Sequence, residues 1–188
     1  MATRNLPILL VLLLSATLFY ACGKKDIKPL STTDKVARTW QGNQLKLDIF
    51  LNGVNIQSLN SLPLPIPGFD LNTLKALTQP FNIDTLTLEM RKDGTFSIKT
   101  RNNPQTNEGQ WTLLENDTKL RLVLNNGASV ISNPLLPATN TQDVNTFTIK
   151  TLDDKNLVLT NSTQQNVTVP NFPLPLSVRV DANLSFKR

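Results

Sequence analysis

The sequence predicts an all-β fold, an eight-stranded antiparallel up-and-down barrel with long Pro/Leu-rich loops at one end. Three observations carry that reading. Apolar residues recur with a period of two from Val36 onward, tight turns alternate with long proline-bearing connections, and no segment sustains a helical period. A two-sheet β-sandwich of the same strands is the alternative, because alternation assigns faces to strands without proving that the sheet closes.

The 188 residues begin with a segment of a different kind. Arg4 is the only charged residue before Lys24, and Leu6 to Ala21 is a short apolar run ending on a small residue ahead of Cys22. A basic n-region, an apolar h-region and a small residue before the cut describe a secretory signal. The run is about 16 residues, short of the ~20 that span hydrocarbon as a helix. Leu18-Phe19-Tyr20-Ala21-Cys22 resembles a relaxed bacterial lipobox, departing from the usual pattern at Phe19 and Tyr20. The expectation is therefore a signal peptide over 1–21, a lipidated Cys22 opening a tether over 22–35, and a folded domain over 36–188. Cleavage removes Arg4 alone, so the charge falls from +5 to +4. Several acyl chains on one cysteine hold firmly, since each buried CH₂ contributes about 0.8 kcal/mol. The likeness to a lipoprotein implies the cell envelope, with the outer membrane as the expected location and its periplasmic or surface side left open.

Strand one is expected around Leu45, Leu47, Ile49 and Leu51, and strand two around Leu86, Leu88 and Met90. The next three follow at Phe96/Ile98, Gly109/Trp111/Leu113 and Leu120/Leu122/Leu124. The last three lie at Phe147/Ile149, Leu157/Leu159 and Val178/Val180/Ala182/Leu184/Phe186. Hairpin chemistry appears at Arg91-Lys92-Asp93-Gly94, Glu115-Asn116-Asp117-Thr118 and Leu152-Asp153-Asp154-Lys155-Asn156, where Gly, Asn and Asp supply positive φ or side-chain caps. The other connections, 52–83, 101–107, 126–144 and 161–176, all contain proline and are read as loops. In a meander those loops share one end, so a closed end of hairpins faces an open mouth, with the tether and the terminal Lys187-Arg188 at the closed end. Within 52–83, Asp70 to Leu77 reads as a short helix capped at Asp70 and ended before Pro80.

Taken together, Arg38-Thr39-Trp40-Gln41-Gly42, Lys92-Asp93-Gly94-Thr95-Phe96-Ser97-Ile98, Glu108-Gly109-Gln110-Trp111-Thr112-Leu113 and Asn116-Asp117-Thr118-Lys119-Leu120-Arg121-Leu122 resemble the lipocalin-like lipoproteins of Gram-negative bacteria over residues 36 to 188. The opening Gly-x-Trp of lipocalins is not matched, because Arg38 stands where the glycine would be. The resemblance implies a lipocalin-like barrel in which Trp40 closes the floor under a stacked basic residue, Lys187 or Arg188, with Trp111 in the same interior.

Composition excludes several chemistries. With no histidine and one cysteine, imidazole base catalysis, intrachain disulfides and Cys/His zinc sites have no residues to use. No pair of carboxylates projects from one strand face into the interior, and Asp153-Asp154 is explained by its turn rather than by a metal, so neither an enzyme nor a cofactor is expected. The modest positive charge is spread out, which argues against nucleic acid. What remains is the mouth: Leu62, Leu64, Ile66 and Phe69 in the first proline-dense run, Leu135 and Leu136 in a second, and Phe172, Leu174 and Leu176 in a third. Two functions fit. One is a membrane-anchored protein that binds a small hydrophobic ligand through these loops. The other is an interaction module with a filled barrel that docks an envelope protein or glycan.

Overall fold

In a computed structural model, residues 29–60, 70–101, 103–128, 130, 144–167 and 175–188 are described. The chain divides into two units, Met1–Leu30 and Ser31–Arg188. All the described secondary structure lies in the second.

That unit opens with a one-turn helix, Thr32–Val36, capped by Ser31, whose side chain accepts from the Asp34 N–H at 3.1 Å. Among the described residues ten strands follow: β1 (Thr39–Leu51), β2 (Val54–Asn55), β3 (Phe81–Asn82), β4 (Leu86–Met90), β5 (Thr95–Thr100), β6 (Asn103–Leu114), β7 (Lys119–Leu124), β8 (Thr146–Leu152), β9 (Asn156–Val167) and β10 (Leu176–Lys187). Between β2 and β3 lie a 3₁₀ turn, Ile56–Ser58, and a helix, Leu71–Leu77. All these pairings are antiparallel. The ring runs β1-β4-β5-β6-β7-β8-β9-β10 and closes because β10 returns to β1, in register from Gln41↔Lys187 to Leu51↔Val178. The two-residue strands β2 and β3 are appendages of β1. Closure through so long a β1–β10 ladder selects the barrel over the sandwich and leaves no long free edge in the ring.

The eight ring strands are those the alternation predicts, with two corrections to the connections. The 101–107 segment is not a long loop: β6 begins at Asn103, and only residues 101–102 join it to β5. The register steps from Lys99↔Thr106 to Thr100↔Asn103, so the proline at 104 falls in an irregularity where no ladder N–H is required. The 161–176 loop also contracts, because β9 continues to Val167 and β10 begins at Leu176, leaving 168–175 between them.

One face of the ring is apolar and turns inward. At the hairpin end it is filled by Trp40, Phe96, Phe147, Leu120 and Leu157, each completely buried, with Trp111, Met90 and Phe186 around them. Gly109 belongs to this packing: a Cβ there would run into the Val123 carbonyl oxygen and lie 2.6 Å from the Phe96 ring, so only glycine lets β7 and the ring approach. The three hairpins have the predicted chemistry. Gly94 takes φ +84°, and Glu115, Asn116 and Asp117 take φ of 49°, 54° and 66°. Residues 31–38 are clasped to this end. Lys92 Nζ lies 2.5 Å from Asp34 Oδ1, Arg38 Nη1 donates to Asp154 Oδ1 at 3.0 Å, and the Met90 N–H donates to the Arg38 carbonyl at 2.9 Å.

Candidate functional site

The mouth end has its own apolar cluster, on the same inward face but further along the strands. Ile49 and Leu51 of β1 stand in register with Val180 and Val178 of β10, and Leu176 continues the row. Over them lie Ile56 of the 3₁₀ turn, fully buried, and Leu74, the one buried residue of the helix Leu71–Leu77. The helix forms where the sequence predicts it: Asp70 accepts from the Thr73 N–H at 2.8 Å and the Thr73 hydroxyl at 2.6 Å, and these bonds hold its carboxyl below the usual range. Polar bonds then fix the helix to the turn. Lys75 Nζ donates to the Leu59 carbonyl at 2.6 Å, and Gln57 Nε2 donates to the Lys75 carbonyl at 3.2 Å and to the Thr78 hydroxyl. The described parts of the β2–β3 connection, 56–60 and 70–80, are thus held together, with Ile56 and Leu74 packed on the inner wall.

The predicted site residues divide accordingly. Cys22, Leu62, Leu64, Ile66, Phe69, Leu135, Leu136, Phe172 and Leu174 lie outside the described residues. Leu176 is corrected from mouth loop to strand: it opens β10, is 2% exposed and packs in the second cluster. Trp40 and Trp111 are interior as expected, and each indole N–H finds a carbonyl: Trp40 donates to Val36 at 3.0 Å and Trp111 to Arg91 at 2.9 Å. The stacked basic residue is not found. Lys187 and Arg188 are exposed, while Trp40 is fully buried in the cluster that includes Val36. Among the described residues the cation–π contact is elsewhere, where the Arg179 guanidinium lies 3.9 Å from the centroid of Phe50.

The carboxylates of the hairpin end have structural partners. Asp153 Oδ1 accepts from the N–H groups of Lys155 at 2.7 Å and Asn156 at 2.8 Å, which keep its carboxyl below the usual range, and Asp154 pairs with Arg38. Glu89 is likewise held low, chiefly by the Arg91 side-chain hydrogen bond at 3.2 Å. No group of three or more metal-ligating side chains gathers among the described residues.

Sequence reasoning missed a cleft of about 630 Å³ on the solvent face of the wall. Register builds it. Lys119, Thr148, Thr160 and Asn183 fall in one cross-strand row over β7, β8, β9 and β10, and Ser162, Asp181 and Asp48 in the next over β9, β10 and β1. Arg179 stands behind them, and apart from Ala182 the lining residues carry polar or charged side chains, whose carbon stems share the exposed surface about equally with their polar atoms. The available signal was the polar half of the β10 alternation, Arg179/Asp181/Asn183, whose partners are known only once the register is known.

No protein-family model and no curated protein matches the chain. One solved structure, described as a lipocalin-like protein from Bacteroides uniformis ATCC 8492, is similar with a TM-score of 0.38 and 13% identity, over 77% of this chain and 96% of that one.

Proposed function

We infer that this chain is a non-catalytic lipoprotein of the bacterial envelope, anchored through Cys22, whose filled barrel serves as a rigid stem carrying a docking surface for a protein or glycan partner. The observation that carries the reading is the inner wall, covered by side chains from Trp40 near the hairpin end to Ile56 and Leu74 near the mouth. A small hydrophobic ligand inside the barrel is the weaker alternative, because the helix Leu71–Leu77 already occupies the apolar wall against which it would lie. The absence of histidine supports the non-catalytic part, and the lipobox-like Leu18-Phe19-Tyr20-Ala21-Cys22 supports the anchor.

Native mass spectrometry of protein purified from its own host tests the stem. The expected spectrum shows no stoichiometric small apolar adduct beyond the acyl anchor; a stoichiometric amphipathic molecule lost from a folded protein overturns the reading. For the anchor, Cys22→Ala is expected to abolish labelled fatty-acid uptake and membrane fractionation. Unchanged fractionation, with no label on the wild type, refutes it.

A further inference from the structure

We propose that the outer wall of the barrel binds an uncharged, hydroxyl-rich ligand, a short stretch of neutral glycan laid across β7, β8, β9, β10 and β1. The inference deepens the docking role proposed above and rests on it, placing a glycan partner on the outer wall, while the native mass spectrum tests the filled stem separately.

Size and chemistry agree. The cleft encloses about 630 Å³, within the range of roughly 300–1,000 Å³ usual for small-molecule sites. Its lining mixes carbon surface with threonine, serine and asparagine side chains, two carboxylates and two cations, a mixture matched to a sugar's hydroxyls and its C–H faces. The charges balance inside the cleft and are tied locally: Lys46 Nζ lies 3.1 Å from Asp48, Arg179 Nε lies 3.4 Å from Asp181 Oδ1, and Lys119 Nζ donates to Glu115 Oε1 at 2.7 Å. A ligand of either net charge would meet an opposing group at once. A neutral ligand with many hydroxyls can donate to the carboxylates and accept from the cations.

Two features go beyond a solvated strand face. Asp48 and Asp181 are direct register partners on neighbouring strands, a like-charge juxtaposition that destabilises a ladder. Departures of this kind are expected at functional sites. Arg179 also keeps bonding capacity to spare. Its guanidinium rests on Phe50, and its Nε, 3.4 Å from Asp181 Oδ1 in an ion pair, makes no hydrogen bond among the described residues. A planar fork held on a ring can meet two adjacent hydroxyls at once, with Asp48 and Asp181 beside it as acceptors.

Saturation-transfer NMR and titration calorimetry on the full-length protein in detergent test this, with maltotriose, cellotriose, xylotriose and tri-N-acetylchitotriose as neutral probes. Trigalacturonate and inorganic phosphate are the charged ones. At least one neutral trisaccharide is expected to bind, and neither charged probe. Arg179→Ala and Asp48→Asn should each weaken that binding roughly tenfold to a hundredfold, as the loss of a charge-assisted hydrogen bond predicts. Asp48→Asn preserves shape and leaves both members of the Arg179–Phe50 stack in place, so it stays informative if Arg179→Ala disturbs folding. Thr73→Ala, at the mouth, should bind as the wild type does. Binding of no neutral probe, preference for a charged one, or neutral binding that survives both cleft substitutions would each overturn the proposal.

Discussion

Truncating Leu74 distinguishes a connection folded into the barrel from one hanging over it. Leu74 is 4% exposed and sits with Ile49, Leu51, Ile56, Leu176, Val178 and Val180. Leu74→Ala removes three carbons from that cluster. Substitutions of this type cost about 2–5 kcal/mol, the spread reflecting how well the surroundings close over the vacancy. A seven-residue helix at the rim can settle inward, which places the expectation near 2–3 kcal/mol. At roughly 2–4 °C per kcal/mol for a chain of this size, the melting midpoint should fall by about 4–12 °C. Urea unfolding followed by tryptophan fluorescence is a suitable assay, because Trp40 and Trp111 both sit in the other cluster. A shift seen by them reports the whole barrel rather than local fraying of the helix. Val54→Ala, at a residue 46% exposed, is the matched control and should stay within about 0.5 kcal/mol. A Leu74→Ala shift as small as the control's would refute the packed mouth, and with it the claim that the inner wall is already occupied.

Other outcomes follow from the same contacts. Asp70→Ala, which removes the cap of the Leu71–Leu77 helix, should cost about 1 kcal/mol in the same urea titration, less than Leu74→Ala. Gly109→Ala should lower the thermal midpoint by more than the usual surface change, by an overpacking cost of about 1–3 kcal/mol, because the Val123 carbonyl oxygen it would meet is backbone and cannot swing away. The Asp34 carboxyl is held at about 2 against its usual 3.8, first by the Lys92 side chain and then by Ser31. Its folded pKa is the lower one, so the stability it contributes is complete above pH ~4 and is lost as pH falls from there toward 2. Midpoints measured across that window should therefore fall less steeply with acid in Asp34→Asn than in the wild type.

What the residues revealed, and what they concealed, follows from where apolar side chains sit. Strand β10 alternates strictly from Leu176 to Phe186, so its two faces are visible without a structure. The capped helix and the three hairpins were equally plain, since Asp70, Gly94 and Asn116-Asp117 each answer a local backbone need. The second half of β9 was not. Asn161-Ser162-Thr163-Gln164-Gln165-Asn166 carries no apolar residue, and it is a strand because the β10 ladder holds it from Val167↔Leu176 to Asn161↔Ala182. The start of β6 was hidden the same way, by polar residues around a proline. The candidate site inherits that blindness. Asn161 and Ser162 line the cleft from within the stretch that composition assigns to a loop, and Asp48 meets Asp181 only after closure, which no periodicity discloses.

Closure also gives the wall two faces with different costs for an incoming ligand. A ligand lying against the wall that the Leu71–Leu77 helix and the Ile56 turn cover must first lift them, exposing Ile49, Leu51 and Val178 to water before replacing them with its own surface. Each such side chain is worth about 1.5–3 kcal/mol when buried, so several must be recovered before any net affinity appears. The outer cleft asks for no such exchange: its groups are already set by strand register, several of them tied to neighbours on the same face. Only water has to leave. On energetic grounds the outer site proposed above therefore needs less rearrangement of the protein than a site under Leu74 and Ile56 would.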